Sequence, residues 1–219
     1  MIRSSDFKMV GENKNKIIFK KNILLNNNYS ISAVFLDRDG VLIEDCHYIK
    51  NPKDVNLCPG VREFIRFFKQ KSIPLVIVTN QSGISKEYLT WRDYEKVTVK
   101  LLSLLEKPNP ISAIYANSYT STFPQDNWRK PNPNMIIQAS IDLNIDLKRS
   151  ILIGDRETDL EAGFRADIPR VFHVLTGHGK KERKAILDKY CNRNVITPEV
   201  NYGKIICLDT LKDFPFDKI

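Results

Sequence analysis

The chain has 219 residues, of which 42% are hydrophobic and 27% are charged, and this composition excludes a disordered, collagen-like or disulfide-stapled protein. Lysine and arginine total 34 against 26 aspartate and glutamate residues, so the formal net charge of +8 suggests a polyanionic partner such as nucleic acid. The excess is peripheral, however, because residues 1–30 and residues 180–193 each carry six basic and two acidic side chains. The remainder is close to neutral, so we do not expect a nucleic-acid partner.

Cysteine spacing and apolar runs bear on the cellular compartment. The four cysteines are scattered along the chain, at Cys46, Cys58, Cys191 and Cys207. Without a Cys-x-x-Cys pair they predict reduced thiols rather than a zinc site, and hence a cytoplasmic protein. No run approaches the roughly 18 apolar residues of a membrane span. The first apolar stretch is broken by Lys20 and Lys21, so a signal-peptide core is not expected.

The first thirty residues differ from the rest of the chain. They are rich in lysine and asparagine and close on Asn26-Asn27-Asn28, a run that favours turns. We expect 1–30 to be a basic extension, either an arm with at most one edge strand at 16–25 or a docking tail. Residues 31–219 are expected to form one domain.

From residue 32 onward, short apolar runs alternate with helical periodicity, which is typical of parallel βαβ units. The predicted strands are 33–36, 74–78, 111–116, 151–153, 170–174 and 205–208. The predicted helices are one opened by Pro59, one that starts at a Thr90–Asp93 cap and runs to Leu105, and those at 133–143, 157–165 and 180–190. The fold class is therefore α/β, with a mainly parallel sheet flanked by helices.

Polar side chains follow three of these strands at their carboxyl ends. Asp37, Thr79 and Asp155 each stand just past an apolar run. Ligands of open parallel sheets bind at this edge, so we expect the three groups to share one mouth.

Asp37 and Asp39 form an Asp-x-Asp-Gly turn at the end of the first of these strands. Two like charges this close repel, and a cation such as Mg²⁺ would neutralise them. One acid could attack as a nucleophile while the other moves a proton. The alternative for this motif alone is a solvated acidic turn.

Three further motifs offer groups for a phosphate or a metal ion. Thr79-Asn80-Gln81-Ser82-Gly83 provides a hydroxyl and backbone amides, and Arg129-Lys130-Pro131 provides two cations. In Gly154-Asp155-Arg156-Glu157-Thr158-Asp159, Asp155 ends a strand and Asp159 is either a helix cap or a supporting acid. Each could alternatively be an ordinary turn or surface pair.

The order of the four motifs resembles that of the haloacid dehalogenase-like (HAD) phosphotransferase superfamily, over about residues 33–177. This resemblance implies a Rossmann-like fold, and the short segments between motifs leave no room for a large cap domain. It implies that Asp37 attacks phosphorus and Asp39 serves as acid and base. Thr79, the Asn80 amide and Lys130 would hold the phosphoryl oxygens. Mg²⁺ would be bound by Asp37, the Asp39 carbonyl and Asp155, with Asp159 supporting them.

Within the superfamily, the motifs look like those of the heptose 1,7-bisphosphate 7-phosphatases and histidinol-phosphate phosphatases. That resemblance implies a small phosphorylated sugar as substrate, from a pathway that feeds lipopolysaccharide or a related glycoconjugate. The implied substrate contacts involve seven residues: Asp45 and Tyr48 on sugar hydroxyls, Arg129 and Arg156 on a second phosphate, and Asn80, Gln81 and Ser82 at the reacting phosphate.

The chain departs from this subfamily in one segment. Its relatives commonly carry a Cys- and His-containing zinc loop before the Arg-Lys-Pro motif, whereas residues 117–128 contain neither residue type. No zinc is therefore expected, and we predict that Tyr119, Phe123 and Trp128 hold the loop by packing. The alternatives left open are a polynucleotide 3′-phosphatase and a non-catalytic binding module on the same fold. A monomer is expected.

Overall fold

The structure is a computed structural model that describes residues 8–13, 15–20, 31–122, 127–190 and 204–218. In the described residues, eight strands form one sheet in the order β1-β2-β5-β4-β3-β6-β7-β8. The strands are β1 (Lys8–Asn13), β2 (Lys16–Lys20), β3 (Val34–Leu36), β4 (Leu75–Asn80), β5 (Ile111–Asn117), β6 (Ile151–Gly154), β7 (Arg170–His173) and β8 (Lys204–Cys207). Strands β3 to β8 are parallel, so the predicted α/β fold is confirmed.

Helices cover both faces of the sheet. They are α1 (Val61–Gln70), α2 (Ser82–Ser85), α3 (Trp91–Leu104), α4 (Asn134–Leu143), α5 (Glu157–Arg165) and α6 (Gly179–Tyr190). Alternate strand residues face opposite sides: Val34 and Leu36 pack with α1 and α3, whereas Phe35 packs with α4, α5 and α6. Such two-sided burial explains why these strands are apolar throughout. No helix in the described ranges has the length and apolar character needed to cross a membrane.

Two helix starts show how local sequence sets the boundaries. Helix α3 begins at the predicted Thr90 cap, where the Thr90 side chain and Asp93 satisfy each other's backbone amides. Helix α1 begins at Val61, two residues after the predicted Pro59, because Gly60 takes a left-handed conformation (φ 85°). A Cβ at Gly60 would lie 2.3 Å from the Lys212 backbone nitrogen, so only glycine fits this close approach.

The amino-terminal segment is more ordered than predicted. Strand β2 lies within the predicted edge strand at 16–25, and it pairs antiparallel with β1, a strand that was not predicted. Strand β2 pairs along β5 from Lys16 opposite Asn117 to Lys20 opposite Ala113, so the hairpin extends the sheet. Residues 1–7 and 21–30 lie outside the described residues, and the division of the chain at residue 30 stays a prediction.

Candidate active site

The carboxyl ends of three adjacent central strands meet at one edge of the sheet. Asp37 follows β3, Thr79 lies near the end of β4, and Asp155 follows β6, and β3 is hydrogen-bonded to both neighbours. The three residues therefore lie together at one edge of the sheet, as their positions in the sequence predicted. Above it lies an open cavity of about 550 Å³. Eleven of the predicted site residues line this cavity: Asp37, Asp39, Asp45, Tyr48, Asn80, Gln81, Ser82, Arg129, Lys130, Arg156 and Asp159.

A buried lysine holds two of the carboxylates. Lys130 Nζ lies 2.9 Å from Asp37 Oδ1 and 2.6 Å from Asp159 Oδ1, and it also donates a 2.9 Å hydrogen bond to the Val78 carbonyl. Burial would lower the pKa of Lys130, but Asp159 and Asp37 outweigh burial and raise it. Lys130 is thus a fixed cation beneath the cavity.

Asp155 lies at the bottom of the site, where glycines allow the backbone to close around it. Its Oδ2 accepts a 2.7 Å hydrogen bond from the His178 amide, whereas its buried Oδ1 has no partner in the described part of the chain. A Cβ at Gly40 or Gly177 would lie 2.4 or 2.3 Å from Asp155 Oδ2. Both glycines have positive φ, so neither position tolerates a side chain.

The buried charges do not balance. Carboxylate oxygens of Asp37, Asp155 and Asp159 lie within 4.8 Å of one another, and Lys130 is the one cation paired with them in the described residues. Burial, opposed by Lys130, raises the pKa of Asp37 to about 7, and burial together with Asp159 and Asp37 raises that of Asp155 to about 9. Oxygen ligands and the unpartnered Asp155 oxygen fit a hard divalent cation such as Mg²⁺.

Asp39 is oriented by two neighbours. Arg38, which is fully buried, donates to both Asp39 carboxylate oxygens at 2.9 to 3.2 Å. Gln81 Nε2 donates to Asp39 Oδ2 at 2.7 Å and to Thr79 Oγ1 at 2.9 Å. Gln81 was predicted to contact substrate, and these bonds add a second task, since it aligns two predicted catalytic side chains. Sequence reasoning assigned no role to Arg38, although a charged residue directly after an apolar strand was a signal that it has one.

The Asn80 side chain joins β4 to the Arg-Lys-Pro segment. Its Oδ1 accepts from the Lys130 backbone amide at 3.1 Å, and its Nδ2 donates to the Lys130 carbonyl at 3.2 Å. Asn117 Nδ2 also donates to Asn80 Oδ1 at 3.0 Å. These bonds fix where Lys130 enters the site, so the side chain of Asn80 is a positioning group.

Comparisons with known proteins agree with this geometry. A HAD-hydrolase-like family model matches residues 127–197. The crystal structure of a putative HAD-like phosphatase from Mesorhizobium loti superimposes with a TM-score of 0.70 at 31% identity, over 76% of this chain and 83% of that one. D,D-heptose 1,7-bisphosphate phosphatase from B. bronchiseptica, solved with magnesium and phosphate, has the same fold (TM-score 0.67, 24% identity, 83% and 94% coverage).

Relatives with named activities are similar over most of their length. D-glycero-beta-D-manno-heptose-1,7-bisphosphate 7-phosphatase of Escherichia coli K12 is 30% identical over 196 residues, 85% of this chain and 93% of that protein. The corresponding alpha enzyme of Photorhabdus laumondii is 33% identical over 164 residues, 69% and 87% respectively. The chain belongs to this phosphatase family of the HAD superfamily. It is therefore a hydrolase, as its motifs predicted.

One side of the phosphatase cavity carries the groups predicted to contact the rest of the substrate. Arg129 is half-buried, and burial and the charge of Arg156 lower its pKa. Arg156 is more exposed and lies 3.3 Å from Glu182. The Tyr48 ring packs against Tyr88 in a tilted arrangement, with ring centroids 4.8 Å apart. All but Glu182 and Tyr88 line the cavity.

Aromatic packing partly holds the described residues of segment 117–128, which was predicted to bind no zinc. Trp128 is buried against Tyr115, and Lys16 of the hairpin lies 4.6 Å above the Trp128 ring. The Tyr119 carbonyl accepts a 3.0 Å hydrogen bond from Arg129 Nη1, so this loop also orients a cavity cation. Phe123, the third predicted packing residue, lies outside the described residues.

We expect the metal-free phosphatase to lose stability as pH rises. The folded-state pKa values of Asp37 and Asp155 lie above the unfolded value of 3.8, so the folded protein binds protons more tightly than the unfolded chain. Their stabilising contribution is complete below about pH 4 and is lost as pH rises through about 7 and then 9. In chelator, thermal unfolding should show Tm falling by about 5–10 °C between pH 5 and pH 9.

The variant Asp155→Asn tests the origin of this pH dependence. The amide does not titrate, so the fall in Tm should be clearly smaller than in the unaltered protein. Asp167→Asn is the matched control, because Asp167 is exposed and has a φ of 59°, which asparagine also adopts readily. A pH dependence that is unchanged in Asp155→Asn would contradict the assignment.

Proposed function

We propose that the protein hydrolyses the 7-phosphate of D-glycero-D-manno-heptose 1,7-bisphosphate in a Mg²⁺-dependent reaction with an aspartyl-phosphate intermediate. The observation that carries this proposal is the placement of Asp37 at the open edge of the sheet, 2.9 Å from Lys130 and within 4.8 Å of the Asp155 carboxylate. The relatives at 30 to 36% identity are named for this substrate.

Asp37 is the nucleophile in the proposed reaction. Lys130 at 2.9 Å favours its ionised form and holds the carboxylate beside the cavity. Asp37 attacks phosphorus, the bond to the sugar oxygen breaks, and an aspartyl-phosphate forms. Water then attacks the phosphorus and releases inorganic phosphate.

Asp39 moves the protons of both steps. It protonates the departing sugar oxygen and later takes a proton from the attacking water. Arg38 and Gln81 hold its carboxylate beside the cavity, so little reorientation is required between the two steps. Thr79 Oγ1, the Asn80 amide and Lys130 supply donors for the phosphoryl oxygens, where charge spreads in the transition state.

Asp37 and Asp155 would hold Mg²⁺, together with the Asp39 carbonyl that the HAD resemblance implies. When bound, the ion supplies positive charge that neutralises the phosphate and polarises its oxygens. The close carboxylates and the unpartnered Asp155 Oδ1 support this assignment. Asp159 is close enough to belong to the same cluster, and it keeps Lys130 in place.

Arg129 and Arg156 give the cavity a second anion-binding region. A guanidinium group matches phosphate oxygens with paired hydrogen bonds, so these side chains suit the 1-phosphate of a bisphosphate. Asp45 and Tyr48 are the proposed contacts of the sugar hydroxyls. The protein is proposed to act as a cytoplasmic monomer on a precursor of lipopolysaccharide or a related glycoconjugate.

A substrate panel tests this assignment. It compares both anomers of heptose 1,7-bisphosphate with heptose 7-phosphate, histidinol phosphate and a 3′-phosphorylated oligonucleotide. We expect one bisphosphate anomer to have the highest kcat/KM, by at least about tenfold over the monophosphate, because the latter cannot use the second anion site. Phosphorus NMR should show that the phosphate on carbon 7 is released.

Other rankings in the panel would identify the alternatives. Highest efficiency on the oligonucleotide would favour a polynucleotide 3′-phosphatase, and on histidinol phosphate the related phosphatase. Absence of Mg²⁺-dependent phosphate release from every substrate and from an aryl phosphate would indicate a non-catalytic binding module.

A further inference from the structure

A second group of metal-binding side chains lies at the rim of the cavity. Asp45 and His47 come from the loop after β3, and His178 comes from the turn before α6. Asp45 Oδ2 lies 3.0 Å from His178 Nε2, and Asp45 Oδ1 lies 3.9 Å from His47 Nδ1. All three offer ligand atoms within 4.8 Å of one another. The fold thus brings metal-ligating side chains together from two segments that lie 131 to 133 residues apart in the sequence.

The spacing suits a single zinc ion. With bonds of about 2.0–2.1 Å in a tetrahedron, ligand atoms lie roughly 3.3 Å apart. The Asp45 and His178 atoms are already close to this separation, and the imidazole rings of His47 and His178 have centroids 6.0 Å apart. His47 has the largest distance to close, and its side chain is 79% exposed, so it is free to rotate inward.

Backbone hydrogen bonds hold in place both the loop that carries Asp45 and His47 and the turn that carries His178. The His47 amide donates a 3.0 Å hydrogen bond to Asp45 Oδ1, which holds the loop in a tight turn. The His178 backbone amide donates a hydrogen bond to buried Asp155, so His178 is anchored to a residue of the proposed Mg²⁺ site. The rim ligands therefore need only side-chain movement.

We propose that Asp45, His47 and His178 form a zinc site that is separate from the Mg²⁺ site. The two sites differ in donor type, since two imidazoles and one carboxylate favour zinc, whereas the Asp37, Asp155 and Asp159 oxygens favour Mg²⁺. Three protein ligands leave a fourth position for water or a sugar hydroxyl, so with zinc bound Asp45 would contact the sugar through the ion rather than directly. This site replaces the expectation of no zinc, which rested on loop 117–128.

His47 is the side chain that distinguishes a metal site from a simple ion pair. Asp45 and His178 are close enough for a hydrogen-bonded pair without any metal ion. If Asp45 and His178 formed only an ion pair, the exposed His47 imidazole would have no influence on zinc affinity. His47→Asn removes the ligand and retains a residue that tolerates the φ of 48° at this position.

The experiment is a zinc titration of the full chain in saturating Mg²⁺, read by competition with a chromogenic chelator. We expect one zinc ion per chain and an affinity at least about 100-fold weaker in His47→Asn, because loss of a direct ligand should exceed the loss from outer-sphere changes. Cys46→Ser is the matched control, since Cys46 is the neighbouring exposed thiol and should leave the affinity unchanged. Co²⁺ bound in place of zinc should give a visible absorption band that His47→Asn loses.

Three results would overturn the site. One is the absence of bound zinc, in saturating Mg²⁺, at free zinc concentrations up to about 10 µM, where a three-ligand site should fill. Another is equal affinity in His47→Asn and the unaltered chain, which would place zinc elsewhere. The third is an equal loss in Cys46→Ser, which would show a different ligand set. Thermal unfolding of each variant confirms that the protein is folded, and none of these measurements depends on catalysis.

Discussion

Asp37→Asn is expected to reduce Mg²⁺-dependent phosphate release by at least about 10⁴-fold, because the amide oxygen is a far weaker nucleophile than a carboxylate. The fold should remain intact. Asp37 is buried, and burial raises its pKa to about 7, so ionising it in the metal-free protein is costly. An uncharged amide of the same size removes that cost, and Tm in chelator at neutral pH should stay the same or rise.

Measuring steady-state phosphate release together with Tm separates chemistry from folding. Asp167→Asn makes the same chemical change on an exposed residue outside the cavity and should leave both quantities unchanged. Near-normal turnover in Asp37→Asn would remove this residue from the role of nucleophile. A large fall in Tm would instead show that the loss of activity came from misfolding.

Lys130→Met is expected to damage both stability and activity. The substitution keeps most of the side-chain volume but leaves Asp37 and Asp159 buried without their cation. Removing one partner of a buried ion pair costs about 3–5 kcal/mol, which denaturant titration in chelator would measure. Activity should fall by at least about 10³-fold, because in the proposed mechanism Lys130 also stabilises the charge that develops on the phosphoryl group.

A second substitution separates the two roles of Lys130. Adding Asp159→Asn to Lys130→Met removes one uncompensated negative charge, so it should recover a substantial part of the lost stability. It should not recover activity, because the cation beneath the phosphate is still missing. Asp159→Asn alone is the control that completes the cycle. Recovery of turnover in the double variant would show that Lys130 acts only as a structural counter-ion.

The meeting of Asp37, Thr79 and Asp155 at one edge of the sheet could be predicted, because its signals are local in sequence. An apolar run that is followed by Asp37, Thr79 or Asp155 predicts both a buried strand and the polar residue at its carboxyl end. Parallel strands place their carboxyl ends together, so the meeting of these residues followed without knowledge of side-chain contacts. The capping pair at Thr90 is another local signal, and the structure confirms it.

The contacts that sequence reasoning missed are formed between distant segments. The His178 amide reaches Asp155, and the Gly177 backbone packs against Gly40, only after the turn before α6 folds over the edge of the sheet. Nothing in the spacing of these residues shows that approach. Strand β1 was missed for a related reason, because its mixed sequence Lys-Met-Val-Gly-Glu-Asn lacks the apolar run of the central strands and pairing with β2 completes it.

The hairpin has a consequence for how the chain can be shortened. All seven residues of β5 are buried, and β2 supplies the hydrogen-bond partner along its outer side. Cutting the chain at residue 30 would turn β5 into an apolar edge strand that is open to pairing with other copies. The present edge is β1, which carries both Lys8 and Glu12 and so places charged residues at the boundary of the sheet. The hairpin can thus be understood as protection against aggregation.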